Sequence, residues 1–544
     1  MAASVDVSGR PEAIRQTPSR PGAVPTSRSR FLLLALGCGL GGLAVALAFP
    51  PYDLTWLLPV GLAVPMAVVV ATRPSGRAGF GYGFAFGLGF LLMLLNWNRV
   101  VGDDAWIGLS AFEALFYALL GLSWAWLRGY RWWPVGFAVT WVGAEYLRGT
   151  VPFGGLPWGW LAFGLAGTPF DRYGRVGGTA LVAFVAVLAV ALALAAAATV
   201  LRRSRRWPAL VAAGSAAALV LVSAALPATA AGPDGHVRVA AVQGDVPGSG
   251  LQPFAQRWAV LDNHANATID FARRVAAGEA ARPDLVIWPE NSTDIDPFAD
   301  RQAYNKINRA VRAVGVPTLV GAVVDGPDPE HVENMGIVWS PRTGPGAFYV
   351  KRHPVPFGEY IPFRSVLTKF IKRLQDIPKD FYAGKRPGVL KVGPVTLGDV
   401  ICFEVAYDGL VRDVIEGGGR LLVVQTNNAT WARTYPGQLS QQFAISRYRA
   451  VETGRTVVIA STDGISGIIA PDGEVLEQAA PRTRKVLDAR IETAGGVTPG
   501  VRYGFALEVL LAALALLCTA GAGIHRVIRS TTPDPGPPSG TIGP

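Results

Sequence analysis

Apolar residues gather into long runs over the first 230 positions, and again near the C-terminus, whereas the intervening stretch alternates short apolar and polar segments. Runs of about 20 residues, enough to cross a hydrocarbon core, begin near Phe31, Leu54, Gly79, Trp106, Trp133, Val176, Trp207 and Tyr503. The pattern predicts about eight membrane helices, seven before the polar stretch and one after it. The run from Trp133 to Leu147 is short and carries Glu145. At such depth an ionisable group marks either a functional site or a structural hydrogen bond to a neighbouring helix. Between 237 and 492, strand-like runs (VRVAAVQGD, LVIWPE, PTLVGAVVD, TLGDVICFE, LLVVQTNN, TVVIAST) alternate with helical stretches around 256–276, 299–314, 405–417 and 438–453. That change of period predicts an α/β domain. Several runs end in polar residues, namely Glu290, Cys402 with Glu404, and Asn427 with Asn428. Such strand ends are where α/β folds commonly build their sites.

Composition agrees with a membrane protein bearing a sizeable polar part. Half of the 544 residues are hydrophobic, the mean hydropathy is +0.32 and only 16% are charged, against about 25% in an average soluble chain. The net charge of +11 does not point to nucleic acid, because the arginines sit in short segments between apolar runs. Arg10, Arg15, Arg20, Arg28 and Arg30 precede the first run, Arg73 and Arg77 follow the second, Arg128 and Arg131 the fourth, and Arg202, Arg203, Arg205 and Arg206 the sixth. If every helix spans, these clusters share one side, and the positive-inside bias places both termini in the cytoplasm and 237–492 outside it. The organisation expected is a cytoplasmic tail (1–30), seven helices (31–231), the α/β domain (237–492), a last helix (503–525) and a second tail (526–544). Both tails read as disordered.

Two local patterns compete with this plan. Ala46-Leu47-Ala48 has the form of a signal-peptide cleavage site, but the run is long for one and Phe49-Pro50-Pro51 follows at once. An uncleaved first helix is favoured. GCGLGG at 37–42 has the form of a dinucleotide fingerprint, yet no strand precedes it. Close helix packing is the better reading there and at Gly83 and Gly87.

Of the 3 cysteines, Cys38 and Cys518 lie inside apolar runs and only Cys402 lies in the polar part. No CxxC or Cys/His cluster is present, so neither a disulfide framework nor a metal is expected. A nucleophilic cysteine needs a base, or a lowered pKa, and a positive group for the oxyanion. Among the 5 histidines, His236, His264 and His331 fall in or near polar loops, and the topology puts His525 in the cytoplasm. His353, beside Lys351, leaves a Cys/His arrangement open without favouring it. Glu290 closes an apolar run beside Trp288 and Pro289, a setting that raises a carboxyl toward the working range of a base. Lys351 closes another run and offers a fixed charge, and Glu359 offers to hold that lysine or relay a proton. Taken singly, each also reads as an ordinary strand-end charge or a packed thiol.

The three segments together resemble the Glu-Lys-Cys triad of the nitrilase superfamily: VIWPEN (286–291), HPVPFGEYIPFR (353–364) after Lys351, and ICFE (401–404), with VQGDVP (242–247) and RYRAVETGR (447–455) alongside. FPPYDLTWL (49–57), AEYLRG (144–149) and PFGGLPWGWLAFG (152–164) extend the likeness over nearly the whole chain, to the membrane-integrated apolipoprotein N-acyltransferases. That resemblance implies an αββα sandwich mounted on eight helices. It implies Cys402 as nucleophile, Glu290 as general base and Lys351 as oxyanion cation, with the Phe403 N–H as second donor and Glu359 and Glu404 as supporting acids. Trp431 matches a family loop beside the site and Tyr360 is a weaker substrate-binding candidate. Both also read as interfacial aromatics.

The implied reaction is a ping-pong transfer. A phospholipid acyl chain passes from the sn-1 ester to Cys402, and from that thioester to the α-amino group of a diacylglyceryl-cysteine at an apolipoprotein N-terminus. The implied setting is the bacterial cytoplasmic membrane, and the partners are the phospholipid donor, diacylglyceryl apolipoproteins and the bilayer. Nucleic acid and cofactors are not expected, and the chain is expected to act as a monomer. Phe403 replaces a frequent Tyr, GSGLQPF (248–254) lacks a frequent Lys-Trp pair, and NNATW replaces a more usual Asn-Asp-x-Trp. These departures bear on substrate preference. Two other readings are a membrane-anchored amidase acting on a small soluble amide, and a transporter with an external binding domain.

Overall fold

A computed structural model of the chain describes residues 27–202, 206–227, 233–246, 256–376, 378–432 and 437–531. The N-terminal tail up to residue 26, all of GSGLQPF, Arg203 and Arg205, and the tail beyond Thr531 lie outside the described residues.

Helices form at each of the eight places that the apolar runs indicate: α1 (Arg28–Leu47), α2 (Leu57–Thr72), α3 (Gly76–Leu94), α4 (Asp103–Leu127), α5 (Trp133–Arg148), then beyond the one-turn α6 (Leu161–Gly164), α7 (Gly174–Leu201) and α8 (Arg206–Ala225), and finally Pro499–Thr531. Six of these are long and apolar enough to cross a membrane. The other two, α2 and α5, have 16 residues each, about 24 Å at the usual rise, less than a hydrocarbon core of about 30 Å. Both are completed by irregular chain at one end, Phe49–Trp56 before α2 and Gly149–Trp160 after α5. Gly41 and Gly42 of α1 and Gly83 and Gly87 of α3 serve helix packing, whereas a Cβ on Gly37 would meet nothing within 4 Å. A Cβ on Gly42 would lie 1.9 Å from the Phe86 carbonyl oxygen, and one on Gly83 2.1 Å from that of Tyr117, so these backbones approach closely only because no side chain intervenes.

The α/β part contains two sheets. In the first, the order is β13 (Lys485–Thr493), β1 (Gly235–Gln243), β2 (Leu285–Ile287), β3 (Thr318–Asp325), β4 (His331–Ser340) and β5 (Gly344–Val350), with β6 (Asp380–Phe381) paired to β4. The second runs β12 (Val475–Gln478), β11 (Gly467–Ile469), β10 (Val457–Ser461), β9 (Leu421–Thr426), β8 (Val395–Ile401) and β7 (Val389–Val392). β1–β2–β3 and β8–β9–β10 pair in parallel. All residues of β9 and β10 are buried, as expected of strands covered on both faces. α9 (Arg257–Ala276) and α10 (Arg301–Val314) cover the first sheet, and α12 (Asp408–Glu416) and α14 (Gly437–Thr453) the second. The four layers make the αββα sandwich.

α10 shows how local sequence sets an element. The Asp300 carboxylate accepts from the amides of Gln302 and Ala303 at its start, and Gly315 ends it at φ +69°, the cap and stop such residues favour. Ala303, Ile307, Ala310, Val311 and Val314 face the sheet at helical spacing.

Three boundaries differ from the sequence expectation. The strand in LVIWPE ends at Ile287, because Pro289 has no N–H to continue a ladder. The helix expected at 405–417 is a tight turn, Cys402–Ala406, followed by α12. Finally, α15 (Pro499–Thr531) runs through residues 526–531 of the expected disordered tail. There the Arg526 guanidinium donates to the Ala125 carbonyl at 3.0 Å.

Candidate active site

The ends of β2, β5, β8 and β9 converge, and each delivers one group. β8 ends into Cys402, whose backbone is left-handed at φ +59°, a conformation few non-glycine residues adopt and one that clusters at functional sites. The thiol is buried, 5% exposed, and the Thr426 hydroxyl at the end of β9 donates to Sγ at 3.4 Å. Burial and the charge of Glu290 push the thiol up to about 12, while Lys351 pulls the other way. At neutral pH the thiol therefore holds its proton, and a base must remove it during attack.

One carboxylate lies where its charge acts on this thiol. Glu290, buried just beyond β2, accepts at Oε1 from Lys351 Nζ (3.1 Å) and Asn334 Nδ2 (2.7 Å), and at Oε2 from the Asn427 amide (2.7 Å). Lys351, one residue past β5, also donates to Glu359 Oε1 at 2.7 Å. Its burial favours the neutral amine, but Glu290 and Glu359 outweigh that and hold the ammonium charged well above the usual lysine range. Glu359 Oε2 accepts from the Val355 amide at 2.8 Å, which fixes the loop that carries it. Glu290, Lys351 and Glu359 thus form one hydrogen-bonded line, with the lysine in the middle.

Glu404 belongs to the scaffold rather than to the line. Its Oε1 accepts from the amides of Arg352 (2.7 Å) and His353 (3.0 Å), its Oε2 from the Ile401 amide (2.7 Å), and both from the Tyr349 hydroxyl. One carboxylate thereby pins the segment after Lys351 to the turn that starts at Cys402. Glu404→Ala leaves these donors buried without an acceptor, at about 1–3 kcal/mol each. The expected result is a fall of several degrees in the thermal unfolding midpoint together with loss of activity, read by thermal denaturation of the detergent-solubilised protein.

The His353 ring makes no hydrogen bond to Cys402 among the described residues. It packs against Tyr407 at 4.0 Å, and burial plus the Lys351 charge lower its titration to about 4. Tyr360 is half-buried and makes no side-chain hydrogen bond to the Glu-Lys-Cys group among the described residues. Trp431 does reach the site. Its ring lies 6.3 Å from Phe403 and 5.8 Å from Trp97, and Trp97 in turn lies 5.7 Å from Trp158. Phe403 and Trp158 are 4.6 Å apart. Two of these rings belong to connections between membrane helices, so Phe403, the residue after Cys402, packs directly on the membrane part.

Several contributors were not singled out from sequence. Gln441 of α14 accepts from both indole N–H groups, Trp97 (3.0 Å) and Trp158 (2.7 Å), and donates to the carbonyls of Pro50 and Leu94. Gln442 donates to Thr426 at 3.1 Å, and Asn428 donates to Gln438 and Gln442. This buried amide network underlies the hydroxyl that touches the thiol. Its visible signal is Gln438, Gln441 and Gln442 at positions i, i+3 and i+4 of one helix. Glu145 also gains a definite role: its Oε1 accepts from the Leu161 amide at 2.8 Å. Beside it, Arg148 donates to the carbonyls of Leu156 and Trp158, so the end of α5 holds the connection that presents Trp158.

Residues 41–192 match the apolipoprotein N-acyltransferase N-terminal domain and residues 238–496 the carbon-nitrogen hydrolase family. A protein named apolipoprotein N-acyltransferase from Mycolicibacterium smegmatis is 39% identical over 92% of this chain and 87% of its own length. The chain belongs to the apolipoprotein N-acyltransferase family. A second relative of that name, from Chromobacterium violaceum, is 32% identical over 92% of this chain and 96% of its own. Among solved structures, an amidase from Nesterenkonia sp. is 21% identical, covering 48% of this chain and 92% of that one, at a TM-score of 0.35. The apolipoprotein N-acyltransferase likeness runs through the membrane helices as well as the sandwich, which weighs against the small-amide amidase. The protein is thus a membrane acyltransferase of lipoprotein maturation, with phospholipid and lipoprotein substrates.

Proposed function

We propose that Cys402 carries the acyl chain between the two substrates and that Glu290 moves the protons. In the first half, Glu290 takes the Sγ proton as sulfur attacks the sn-1 ester carbonyl of a phospholipid. Lys351 Nζ and the Phe403 N–H meet the oxyanion. Collapse breaks the bond to the glycerol oxygen, which receives the proton from Glu290 and departs as lysophospholipid. In the second half, the free α-amino group of the S-diacylglyceryl-cysteine attacks the thioester, Glu290 takes its proton, and the expelled thiolate recovers it as the amide forms. Glu359 steadies Lys351, and Trp431 with Phe403 and Trp97 keeps water from the thioester.

The observation that carries this reading is the buried Glu290–Lys351 pair, 3.1 Å apart, beside a buried thiol that feels both charges. We further place the sandwich on the extracytoplasmic face and both chain ends in the cytoplasm. In support, the connections that touch the sandwich include Pro50, Leu94, Trp97 and Trp158. Arg73 falls in the connection after α2, Arg77 in the first turn of α3, and Arg128 and Arg131 in the connection after α4. We read the protein as a monomer, a reading supported by Glu290, Lys351, Glu359 and Cys402 all coming from one chain.

The test is donor labelling without acceptor. A phospholipid labelled in its sn-1 chain, mixed with the purified protein in detergent, is expected to leave one hydroxylamine-sensitive label per chain and one lysophospholipid released. Adding a diacylated peptide then moves the label to the peptide amine. Label transfer that never passes through the protein would overturn the reading.

A further inference from the structure

A carboxyl three residues before the nucleophile takes no part in the chemistry above. Asp399, in β8, is fully buried, and neither of its carboxyl oxygens has a hydrogen-bond partner among the described residues. Gln425 Oε1, in the neighbouring strand β9, is also buried without a partner. The two side chains converge. A Cβ placed on Gly336 of the facing sheet would lie 2.4 Å from Asp399 Oδ2 and 2.6 Å from Gln425 Oε1. Glycine at 336 thus leaves room for both oxygens, and the two distances put them no more than about 5 Å apart.

The chemistry of that meeting admits one proton. Gln425 Nε2 donates to the Trp288 carbonyl at 2.6 Å, and a carbonyl only accepts, so the orientation of the amide is fixed and its oxygen must face the aspartate. An ionised Asp399 would set acceptor against acceptor between two buried side chains. Each unsatisfied group costs about 1–3 kcal/mol, and an isolated buried carboxylate costs more. A protonated Asp399 removes the conflict, because its O–H becomes the donor that Gln425 Oε1 lacks. Burial, with Glu404 and Glu290 as nearby negative charges, holds the carboxyl well above the ordinary aspartate range.

We propose that Asp399 is a neutral positioning residue whose carboxyl O–H donates to Gln425 Oε1, completing a hydrogen-bond chain from Asp399 through Gln425 to the Trp288 carbonyl. The chain joins the two sheets immediately behind the reacting groups. Asp399 lies three residues before Cys402, Gln425 pairs with Ile401 and precedes by two the amide that holds Glu290, and Trp288 lies two residues before Glu290. Its consequence is a fixed separation between nucleophile and base, so it rests on the roles proposed above for Cys402 and Glu290.

The experiment uses the full-length protein in detergent with Asp399→Asn and Asp399→Leu. An Asn side chain keeps a donor toward Gln425, and Asp399→Asn is expected to retain thioacyl formation to within about threefold. Asp399→Leu keeps bulk but no donor and is expected to slow that step at least about tenfold, the effect of roughly 1.4 kcal/mol. Independently of any reaction, the infrared difference between wild type and Asp399→Asn at pH 7 should contain the carbonyl stretch of a protonated carboxylic acid. A carboxylate band in that difference spectrum would overturn the proposal. So would an Asp399→Asn variant as slow as Asp399→Leu, or an Asp399→Leu variant as fast as wild type. If Asp399→Leu does not fold, the infrared band and the Asp399→Asn rate still decide. The band does not depend on catalysis, so it separates failure here from failure of the Cys402 mechanism, which normal acyl transfer by Cys402→Ser would reveal.

Discussion

Cys402→Ser is expected to leave lipoproteins with a free N-terminal amine and without their amide-linked acyl chain. A serine oxygen is a poor nucleophile beside a single carboxylate. Any oxygen ester it formed would also lack the reactivity toward amines that makes a thioester competent for the second half. Removing the nucleophile of a catalytic unit costs on the order of 10⁶ in rate in a well-studied hydrolase, and a loss of at least about 10⁴ is expected here. The fold should persist, since serine fills nearly the same volume next to the Thr426 hydroxyl. The measurement is mass spectrometry of a lipoprotein N-terminal peptide from cells whose sole enzyme of this kind is the variant. A fully triacylated peptide from those cells would end the case for Cys402.

Glu290→Gln should lower acyl-enzyme formation by about 10²–10⁴, the usual effect of losing a general base, while making the thiol more acidic. The two effects run in opposite directions for one reason. The carboxylate disfavours a neighbouring thiolate and contributes to holding the thiol at about 12. Removing its charge moves the ionisation to lower pH, whereas removing the Lys351 charge moves it higher. Alkylation rates of Cys402 against pH should therefore rise earlier in Glu290→Gln and later in Lys351→Ala than in wild type, with both variants defective toward phospholipid. A Glu290→Gln protein that gained reactivity toward both alkylator and phospholipid would show that carboxylate to be a brake and not a base.

What could be read from the sequence was whatever one local segment decides. Long apolar runs located the helices, and the segments WPE, VK and CFE mark the places just past β2, β5 and β8 where Glu290, Lys351 and Cys402 stand. Local patterning also set α9, α10 and α14 to within two residues. What could not be read depends on chain brought together from far apart. Gln441 bonds Trp97 and Trp158 across more than 280 positions, and no periodicity encodes that. Glu404 follows the nucleophile as a catalytic acid might, yet four donors from two segments make it a clamp. The two readings of Glu145 were equally compatible with its place in an apolar run, and only the position of the Leu161 amide chose between them.

The amide of Gln441 joins two indoles and two main-chain carbonyls of the membrane part to the helix beneath the nucleophile. The membrane helices are therefore not a tether that merely keeps a catalytic domain near its substrate. They cover one flank of the turn that carries Cys402, and a sandwich cut free of them would leave the Phe403 side of that turn open to water.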